Sequence, residues 1–422
     1  MTTKPFYVAG EWRTGDEAFD VASPFDGGTV ATVGTPSSTD VEDAVASAAA
    51  AFQEARVLPV HERAEALASI SRGIAERGDE LAELIAREGG KPLKWSKVEV
   101  ARATATFRWA AEEARRGHDE FLRLDTEAAL GARAGIVRRW AVGPVLGITP
   151  FNFPVNLVAH KVAPALAVGA PIVIKPATAT PLGALALAEL FDGTDLPRGM
   201  FSVLPVPSRV AEGMVRDERF RKVSFTGSPG VGWYLKGLDP KKRFTLELGG
   251  NAGVIVHGDA DLDHAAARIA FGGYYQAGQS CIAVQRILVQ SEVHDDLVER
   301  LVKQIAGLQV GDPLDPATDV GPVIDAGSLD RITEWVDEAV AAVNDSRYGL
   351  QAGVFTRDLD RAFHAHRDLE VGGVIVNDVS AFRADQMPYG GSKDSGFGRE
   401  GLRWAMEEMT EPRIMVLSHV PL

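Results

Sequence analysis

From Val145 onward the sequence alternates between short apolar runs and segments with helical periodicity, and this alternation limits the fold more than any other feature. Strands that alternate with helices imply a parallel, doubly wound sheet, whose ligand crevice lies at the carboxyl ends of its strands. The sequence therefore predicts an α/β fold. The expected strands are 145–149, 171–174, 201–206 and 222–226, and the expected helices between them are 155–168, 182–190 and 209–215.

A second α/β series begins after Leu248-Gly249-Gly250, so we expect a domain boundary near Gly249. Its strands are predicted at 253–256 and 286–289, with a helix at 265–275 between them. The same alternation indicates that this second unit is also built on a parallel sheet.

Three helical segments predict a mainly helical portion ahead of both series. The first follows the capping-box spacing of Thr39-Asp40-Val41-Glu42, the second covers 61–88 and the third covers 93–116. Gly89-Gly90 is expected to end the second helix in left-handed backbone, because glycine adopts that conformation without steric cost.

Composition narrows the classes of function. The chain has 422 residues, of which 45% are hydrophobic, which is enough for two domains with substantial cores. Its 58 acidic and 44 basic residues give a net charge of −14, so we expect no nucleic-acid partner and no membrane partner. A single cysteine excludes an internal disulfide framework and a cysteine-based zinc site, and we expect no metal.

The N-terminal residues 1–12 meet charged side chains too early for a secretory apolar core, which predicts a cytoplasmic protein. The most apolar region, 142–177, is interrupted by Asn152, His160, Lys161 and several prolines. We therefore expect buried strands and helices there and not a membrane-spanning helix.

The only thiol follows a small, flexible stretch, Gly278-Gln279-Ser280-Cys281, where backbone amides could approach a developing oxyanion. A lone cysteine is more often a buried apolar residue, so this motif alone is a weak indication of catalysis.

Glu247 lies between two leucines at the end of a predicted buried strand. It is either half of a structural ion pair or a base whose pKa burial has raised.

Other polar side chains follow the predicted strands of the first series. Asn152 stands between aromatic residues and prolines in Pro-Phe-Asn-Phe-Pro, where it either bonds its own turn or directs its amide at an oxyanion. Lys175 ends a strand, from which it could reach a cofactor hydroxyl or phosphate. Phe-Thr-Gly-Ser-Pro-Gly-Val-Gly at 225–232 combines a strand end, a glycine turn and a helix start, which attracts a pyrophosphate. Its spacing is not that of the G-x-G-x-x-G fingerprint.

In order along the chain, Pro-Phe-Asn-Phe-Pro, Ile-Lys-Pro-Ala, Phe-Thr-Gly-Ser, Leu-Glu-Leu-Gly-Gly and Gly-Gln-Ser-Cys resemble the motif set of the NAD(P)-dependent aldehyde dehydrogenases. The resemblance extends from Val8 to Val416. It implies a Rossmann-like doubly wound parallel sheet, a second α/β catalytic domain and a bridging oligomerisation hairpin. The implied domains are 1–120 with 142–248 for dinucleotide binding, 249–394 for catalysis, and 121–141 with 395–422 for bridging a homodimer or homotetramer.

The resemblance also implies a mechanism. Cys281 would attack the aldehyde carbonyl, and Asn152 together with the backbone amide of Cys281 would hold the oxyanion. Hydride would pass to the nicotinamide of NAD or NADP, and a water activated by Glu247 would hydrolyse the thioester. Glu400 matches a family carboxylate that is sometimes given a helper role, for which we prefer a structural role.

For the cofactor, the resemblance implies that Lys175 bonds the adenosine ribose and that Ser228 bonds the pyrophosphate. Thr178 stands where strictly NAD-dependent members often have glutamate, so a 2′-phosphate would meet no like charge and NADP becomes acceptable. The other implied cofactor residues are Thr149, Phe151, Gly227 and Gly232.

One departure from the family pattern leaves two functions open. A strand-rich segment expected after Pro322 is absent, and Ile332 to Val340 leads directly into Ala341 to Gly349, so no glutamate is left to anchor the nicotinamide ribose. The chain is then either an aldehyde dehydrogenase or a catalytically impaired dinucleotide-binding or assembly protein of the same fold. The motifs around Asn156 and Cys281 resemble the lactaldehyde and phosphonoacetaldehyde dehydrogenase branch, which suggests a small polar aldehyde.

Overall fold

The structure is a computed structural model that describes residues 2–117, 119–329 and 345–419. The junction near Val340, and the continuous helix expected at 333–343, lie outside these residues. Among the described residues, no helix is both long enough and apolar enough to cross a membrane.

The strands, numbered along the chain, are β1 (Phe6–Val8), β2 (Glu11–Arg13), β3 (Glu17–Ala22), β4 (Thr29–Thr35), β5 (Glu120–Arg123), β6 (Arg133–Ala141), β7 (Val145–Ile148), β8 (Ile172–Lys175), β9 (Phe201–Val203), β10 (Lys222–Thr226), β11 (Arg243–Glu247), β12 (Ala252–Val256), β13 (Val284–Val289), β14 (Tyr348–Gly349), β15 (Gln351–Phe355), β16 (Gly373–Val376), β17 (Ser392–Lys393), β18 (Gly396–Phe397) and β19 (Thr410–Ser418).

The helices are α1 (Ser38–Ala55), α2 (Val60–Glu76), α3 (Gly78–Gly89), α4 (Leu93–Arg116), α5 (Asn156–Val168), α6 (Leu182–Asp192), α7 (Ser208–Arg216), α8 (Pro229–Leu238), α9 (Leu262–Tyr274), α10 (His294–Ala306), α11 (Leu359–Asp368) and α12 (Leu402–Glu408).

The larger sheet has the strand order β18-β11-β10-β7-β8-β9-β1-β2. Its five central strands, β11 to β9 in that order, are parallel, which confirms the predicted doubly wound α/β fold. Both edges depart from a purely parallel sheet, since β18 and β1 pair antiparallel with their neighbours. Strand β18 belongs to the segment 395–422 that the sequence assigns to bridging, and the domain division stays a prediction.

The sheet reverses its winding between β7 and β10. From β7 the chain adds β8 and β9 on one side, and then returns to add β10 and β11 on the other. Such a switch point opens a crevice at the carboxyl ends of the two strands. Residues 149–152 follow β7 and residues 227–228 follow β10, so two of the predicted motifs lie at this crevice.

The N-terminal portion differs from the prediction in three respects. It contains four strands, β1 to β4, which are short or carry no clear apolar alternation. The cap of α1 is Ser37, which accepts from the backbone N–H of Asp40 while the Asp40 carboxylate accepts from Ser37, so the capping box begins two residues before Thr39. The helix expected at 61–88 is two helices that meet at Arg77. Gly90 is left-handed, as predicted.

Four smaller sheets accompany the large one in the described residues, and two of them contain only two strands, β3 with β4 and β14 with β17. Strands β13-β12-β15-β16 form a four-stranded parallel sheet, as the second α/β series predicted. Strands β19, β6 and β5 form an antiparallel sheet in which β19 is an edge strand, pairing from Thr410 with Ala141 to Ser418 with Arg133. The exposed hydrophobic side chains of β19 are Ile414, Met415 and Val416.

Candidate active site

Glu247 is the last residue of β11 and lies beside Thr226 of β10. Its side chain is buried, and neither carboxyl oxygen has a hydrogen-bond partner among the described residues. Burial raises the pKa of this carboxyl well above its ordinary value, and the nearby negative charge of Glu400 raises it further. Glu247 is therefore a carboxyl group without an ion-pair partner among the described residues and with a raised pKa, which fits a base better than an ion pair.

Glu400 is equally buried but fully partnered. Its carboxylate accepts from Nζ of Lys161 at 3.0 Å and from Nη2 of Arg383 at 3.1 Å. Although burial raises the pKa of Glu400, these two cations lower it more, and the group stays ionised. Because both oxygens are engaged with cations, Glu400 acts here as a structural counterion, in line with the role preferred from the sequence.

The loop before Cys281 has an unusual backbone. Gln276, Ala277 and Gly278 have φ angles of 53°, 55° and 71°, and the first two are left-handed without being glycine. Such conformations carry strain that the surrounding structure must hold, and they concentrate at functional sites. A Cβ on Gly250 would lie 2.8 Å from the carbonyl oxygen of Cys281, so the Leu-Glu-Leu-Gly-Gly motif packs directly on this loop.

The thiol of Cys281 contacts a residue that the sequence did not single out. Its Sγ lies 2.9 Å from the hydroxyl oxygen of Tyr389. Burial raises the pKa of the Cys281 thiol, and the charges of Glu247 and Glu400 add to that effect. The Tyr389 hydroxyl and the Arg383 guanidinium oppose it. Cys281 and Glu247 thus lie in one electrostatic cluster.

Asn152 joins this cluster from the switch point of the large sheet. Its Nδ2 donates to the backbone carbonyl of Gln279 at 2.8 Å, and its own backbone carbonyl accepts from Nε2 of Gln276. Since the amide has two N–H groups, one remains for a ligand. The structure therefore brings Asn152 to the loop that carries Cys281, as the sequence predicted.

The predicted cofactor residues lie at the carboxyl ends of β8 and β10. Lys175 is buried, its Nζ donates to the carbonyl of Pro176 at 3.0 Å, and burial lowers its pKa to about 8. No described carboxylate forms an ion pair with it. Thr178 is exposed three residues later, and Ser228 is the N-cap of α8 without a side-chain cap bond. A buried cation and free helix amides fit an anionic dinucleotide.

Four predicted cofactor residues have structural roles in the fold. A Cβ on Gly232 would lie 2.4 Å from the Leu248 side chain, and one on Gly227 would lie 2.6 Å from its neighbouring phenylalanine ring, so both glycines make room for packing. The backbone N–H of Thr149 donates to the carbonyl of Lys175, and the carbonyl of Phe151 accepts from Thr180. Their contacts with a cofactor stay a prediction.

A cavity of about 180 Å³ is lined by Phe153, the residue after Asn152, and by Tyr275, which precedes the Cys281 loop. Its wall combines aromatic rings with cations from the turn before α4, from α4 and α9 and from the segment after β16, and it includes the carboxylate of Glu99, which pairs with Lys91. The cations are Lys91, Arg102, Arg268 and Arg383, and the aromatic residues include Trp95, Phe153, Phe271 and Tyr275. Sequence reasoning missed Arg102 and Arg268, because arginines on an amphipathic helix resemble a solvated face until the cavity is seen. It missed Arg383 because this residue lies outside the helices and strands, where no periodicity points to it.

A sequence model of the aldehyde dehydrogenase family matches residues 12–342 and 336–415. The 3-sulfolactaldehyde dehydrogenase of Priestia megaterium is 39% identical over 466 positions, which cover 98% of this chain and 97% of that protein. The chain belongs to the aldehyde dehydrogenase family. The lactaldehyde dehydrogenase of Methanocaldococcus jannaschii is 33% identical over 468 positions, covering 98% of this chain and 100% of that protein.

Solved structures of aldehyde dehydrogenases have the same fold. Aldehyde dehydrogenase 21 from Physcomitrella patens, in complex with the product succinate, is 37% identical with a TM-score of 0.95, and 99% of each chain is covered. The NADP-dependent glyceraldehyde-3-phosphate dehydrogenase from Bacillus halodurans, complexed with NADP, is 30% identical with a TM-score of 0.94, again over 99% of each chain. The protein is therefore an NAD(P)-dependent aldehyde dehydrogenase.

Proposed function

We propose that this aldehyde dehydrogenase oxidises a small aldehyde that carries an anionic group, through a covalent intermediate on Cys281. The observation that carries the proposal is the shared cluster of a half-buried thiol and a buried carboxyl without a hydrogen-bond partner among the described residues, bordered by a small cavity lined by four cations and one carboxylate. The thiolate attacks the carbonyl carbon, and the carbonyl oxygen becomes an oxyanion. Asn152 holds that oxyanion with its remaining N–H and acts together with the backbone amide of Cys281.

Glu247 serves the second half of the reaction. Its raised pKa makes the ionised carboxylate a stronger base, so in that form Glu247 can deprotonate the water that hydrolyses the thioester. Carboxylates with full ion pairs, such as Glu400, have no such capacity. Glu247 and Glu400 are equally buried. The different roles that we propose for them follow from their ion-pair partners.

Lys175, Ser228 and Thr178 would hold the dinucleotide at the ends of β8 and β10. When bound, the dinucleotide would supply the hydride acceptor that oxidation of the aldehyde requires. Lys175 suits a ribose hydroxyl or phosphate because it is buried without an acidic partner in the described residues. The exposed, neutral Thr178 would leave space and no opposing charge for a 2′-phosphate.

The charge of the cavity wall supports an anionic substrate. Arg102 and Arg268 each keep part of their side chain accessible, although Asp385 and Asp378 bond them at 2.8 and 2.7 Å. An arginine has five N–H donors, so one carboxylate partner leaves donors for a second anion. A volume of about 180 Å³ limits the substrate to a few carbon atoms. Relatives named for 3-sulfolactaldehyde and aspartate semialdehyde agree with this class.

The test is a matched pair of substrates. Lactaldehyde and 3-sulfolactaldehyde have the same three-carbon frame and differ by the sulfonate. We expect NAD(P)H formation with both and a higher kcat/KM for the sulfonate, with no turnover by Cys281→Ala. Arg268→Gln should remove most of the preference, because it deletes a cation and leaves the cluster around the thiol intact. A higher kcat/KM for lactaldehyde would exclude the anionic class and leave the oxidation itself unaffected.

A further inference from the structure

Among the described residues, Tyr389 has the one side-chain hydroxyl within hydrogen-bond distance of the thiol, at 2.9 Å from Sγ of Cys281. Tyr389 is 3% exposed, and Cys281 is half-buried. Burial raises the pKa of Tyr389 well above its ordinary value, so the hydroxyl keeps its proton throughout the range in which the enzyme works. A neutral hydroxyl beside a thiolate can only donate, because the thiolate has no proton to give.

A cation makes this donor stronger. The guanidinium of Arg383 lies over the ring of Tyr389, 3.7 Å from its centroid. A positive charge on the ring face withdraws electron density, and the phenolic O–H becomes a better donor. Arg383 is itself held by Glu400, which Lys161 also bonds. The ring and its hydroxyl are thus fixed in front of the thiol.

From this geometry we infer that Tyr389 is a positioning residue for the nucleophile, which holds Cys281 in place and donates its hydroxyl hydrogen bond to the thiolate. The inference rests on the proposed role of Cys281. Tyr389 keeps its own proton, and the proton of the thiol passes to the medium. The hydrogen bond offsets the charges that oppose ionisation of the thiol, which come from Glu247 and Glu400.

The experiment measures the ionisation of the thiol directly. The rate of iodoacetamide alkylation of Cys281 is followed against pH in the full chain, because only the thiolate reacts. Tyr389→Phe removes one oxygen and keeps the ring beneath Arg383. Loss of a hydrogen bond to a charged group should move the alkylation curve to higher pH by about one unit. The pH profile of aldehyde oxidation should move by a similar amount.

Tyr275→Phe is the matched control. Its hydroxyl bonds Oγ of Ser280 at 2.9 Å, next to the nucleophile but not on it, so the curve should stay in place. Equal shifts in the two variants would overturn the inference, since they would report loop packing and not the bond to sulfur. An unshifted Tyr389→Phe curve would overturn it as well.

A second arm tests the donor without removing it. Replacement of Tyr389 by 3-fluorotyrosine preserves the shape and makes the phenol more acidic. It should strengthen the bond to the thiolate and move the alkylation curve to lower pH. A shift to higher pH, or none, would contradict the inference. If no aldehyde is oxidised at all, the proposed function fails while the alkylation curves still report on Tyr389.

Discussion

Replacing the two glutamates of the cluster by glutamine is expected to change stability in opposite directions. Glu247 is buried without a partner among the described residues, and its pKa is raised in the fold. The folded protein therefore holds a proton that the unfolded chain has already lost. In the pH range between the two pKa values, stability falls by as much as about 1.4 kcal/mol per pH unit. Glutamine carries no such proton, so Glu247→Gln should gain relative stability as the pH rises.

Glu400 is the contrasting case. Its ion pairs with Lys161 and Arg383 lower its pKa, so its stabilisation is present above the ordinary carboxyl pKa and is lost as pH falls through the folded pKa. Glu400→Gln leaves both buried cations without this anion. Breaking one side of a buried ion pair costs about 3–5 kcal/mol. The variant should therefore unfold more easily at neutral pH, with the difference shrinking in acid.

Unfolding of the wild type and of both variants between pH 3 and 9 separates these outcomes, because the Glu400 effect falls below the ordinary carboxyl pKa and the Glu247 effect above it. Wild-type and Glu247→Gln curves that run parallel at every pH would refute the reasoning, because they would show that Glu247 ionises in the fold as freely as outside it. In Glu247→Gln, Cys281 should still be acylated, but turnover should fall about 10²- to 10⁴-fold, since a general base contributes on that scale. A burst of NAD(P)H without steady turnover is the expected trace.

Further predictions address the cofactor, the assembly and the coupling of the two half-reactions. Thr178→Glu should penalise NADP selectively by charge repulsion, and equal loss with NAD and NADP would contradict the proposed contact. Light scattering should show an oligomer at micromolar concentration, and Met415→Lys on the exposed edge strand should weaken it; a stable wild-type monomer would count against this. The segment expected after Pro322 is predicted to anchor the nicotinamide in relatives, so its loss should impair aldehyde oxidation more than ester hydrolysis through Cys281. An aldehyde turnover of about 1 to 1,000 per second would exclude such impairment.

A comparison of lengths supports the prediction that a segment is missing after Pro322. The alignment with the Priestia protein has 466 positions, although this chain has 422 residues, so some positions of the relative have no counterpart here. The junction near Val340 lies outside the described residues. The expectation that the segment carries the anchor is a prediction for the kinetic comparison to decide.

Periodicity was sufficient to predict the central sheet, because parallel strands buried on both faces form nearly continuous apolar runs. The strands β7, β8 and β10 were found to within a residue or two. Strands β1 and β2 were missed because three residues are too few to display a period, and β1 joins the sheet only through its antiparallel contact with β9. The sequence did not indicate the break of the predicted helix at Arg77, because a glycine such as Gly78 is tolerated at the start of a helix.

The candidate catalytic residues could be predicted from motifs, whereas their protonation states could not. Glu247 and Glu400 both stand next to glycine-rich stretches, and nothing in those stretches distinguishes a partnered carboxylate from an unpartnered one. The difference arises because Lys161 extends from α5 and Arg383 from the segment after β16 toward only one of the two. The pKa of a buried group depends on such tertiary neighbours. The sequence can therefore indicate which groups titrate, but not whether the fold raises or lowers their pKa values.

The same asymmetry connects stability with catalysis. A cluster in which both glutamates were paired would be more stable, but it would contain no base for thioester hydrolysis. In the described residues, Lys161 and Arg383 both pair with Glu400, and neither pairs with Glu247. Arg383 also lies over the ring of Tyr389, so one of the two cations that pair with Glu400 also supports the hydroxyl that faces the thiol. The cost of an unpaired carboxyl is therefore confined to Glu247, the position for which we propose the role of general base.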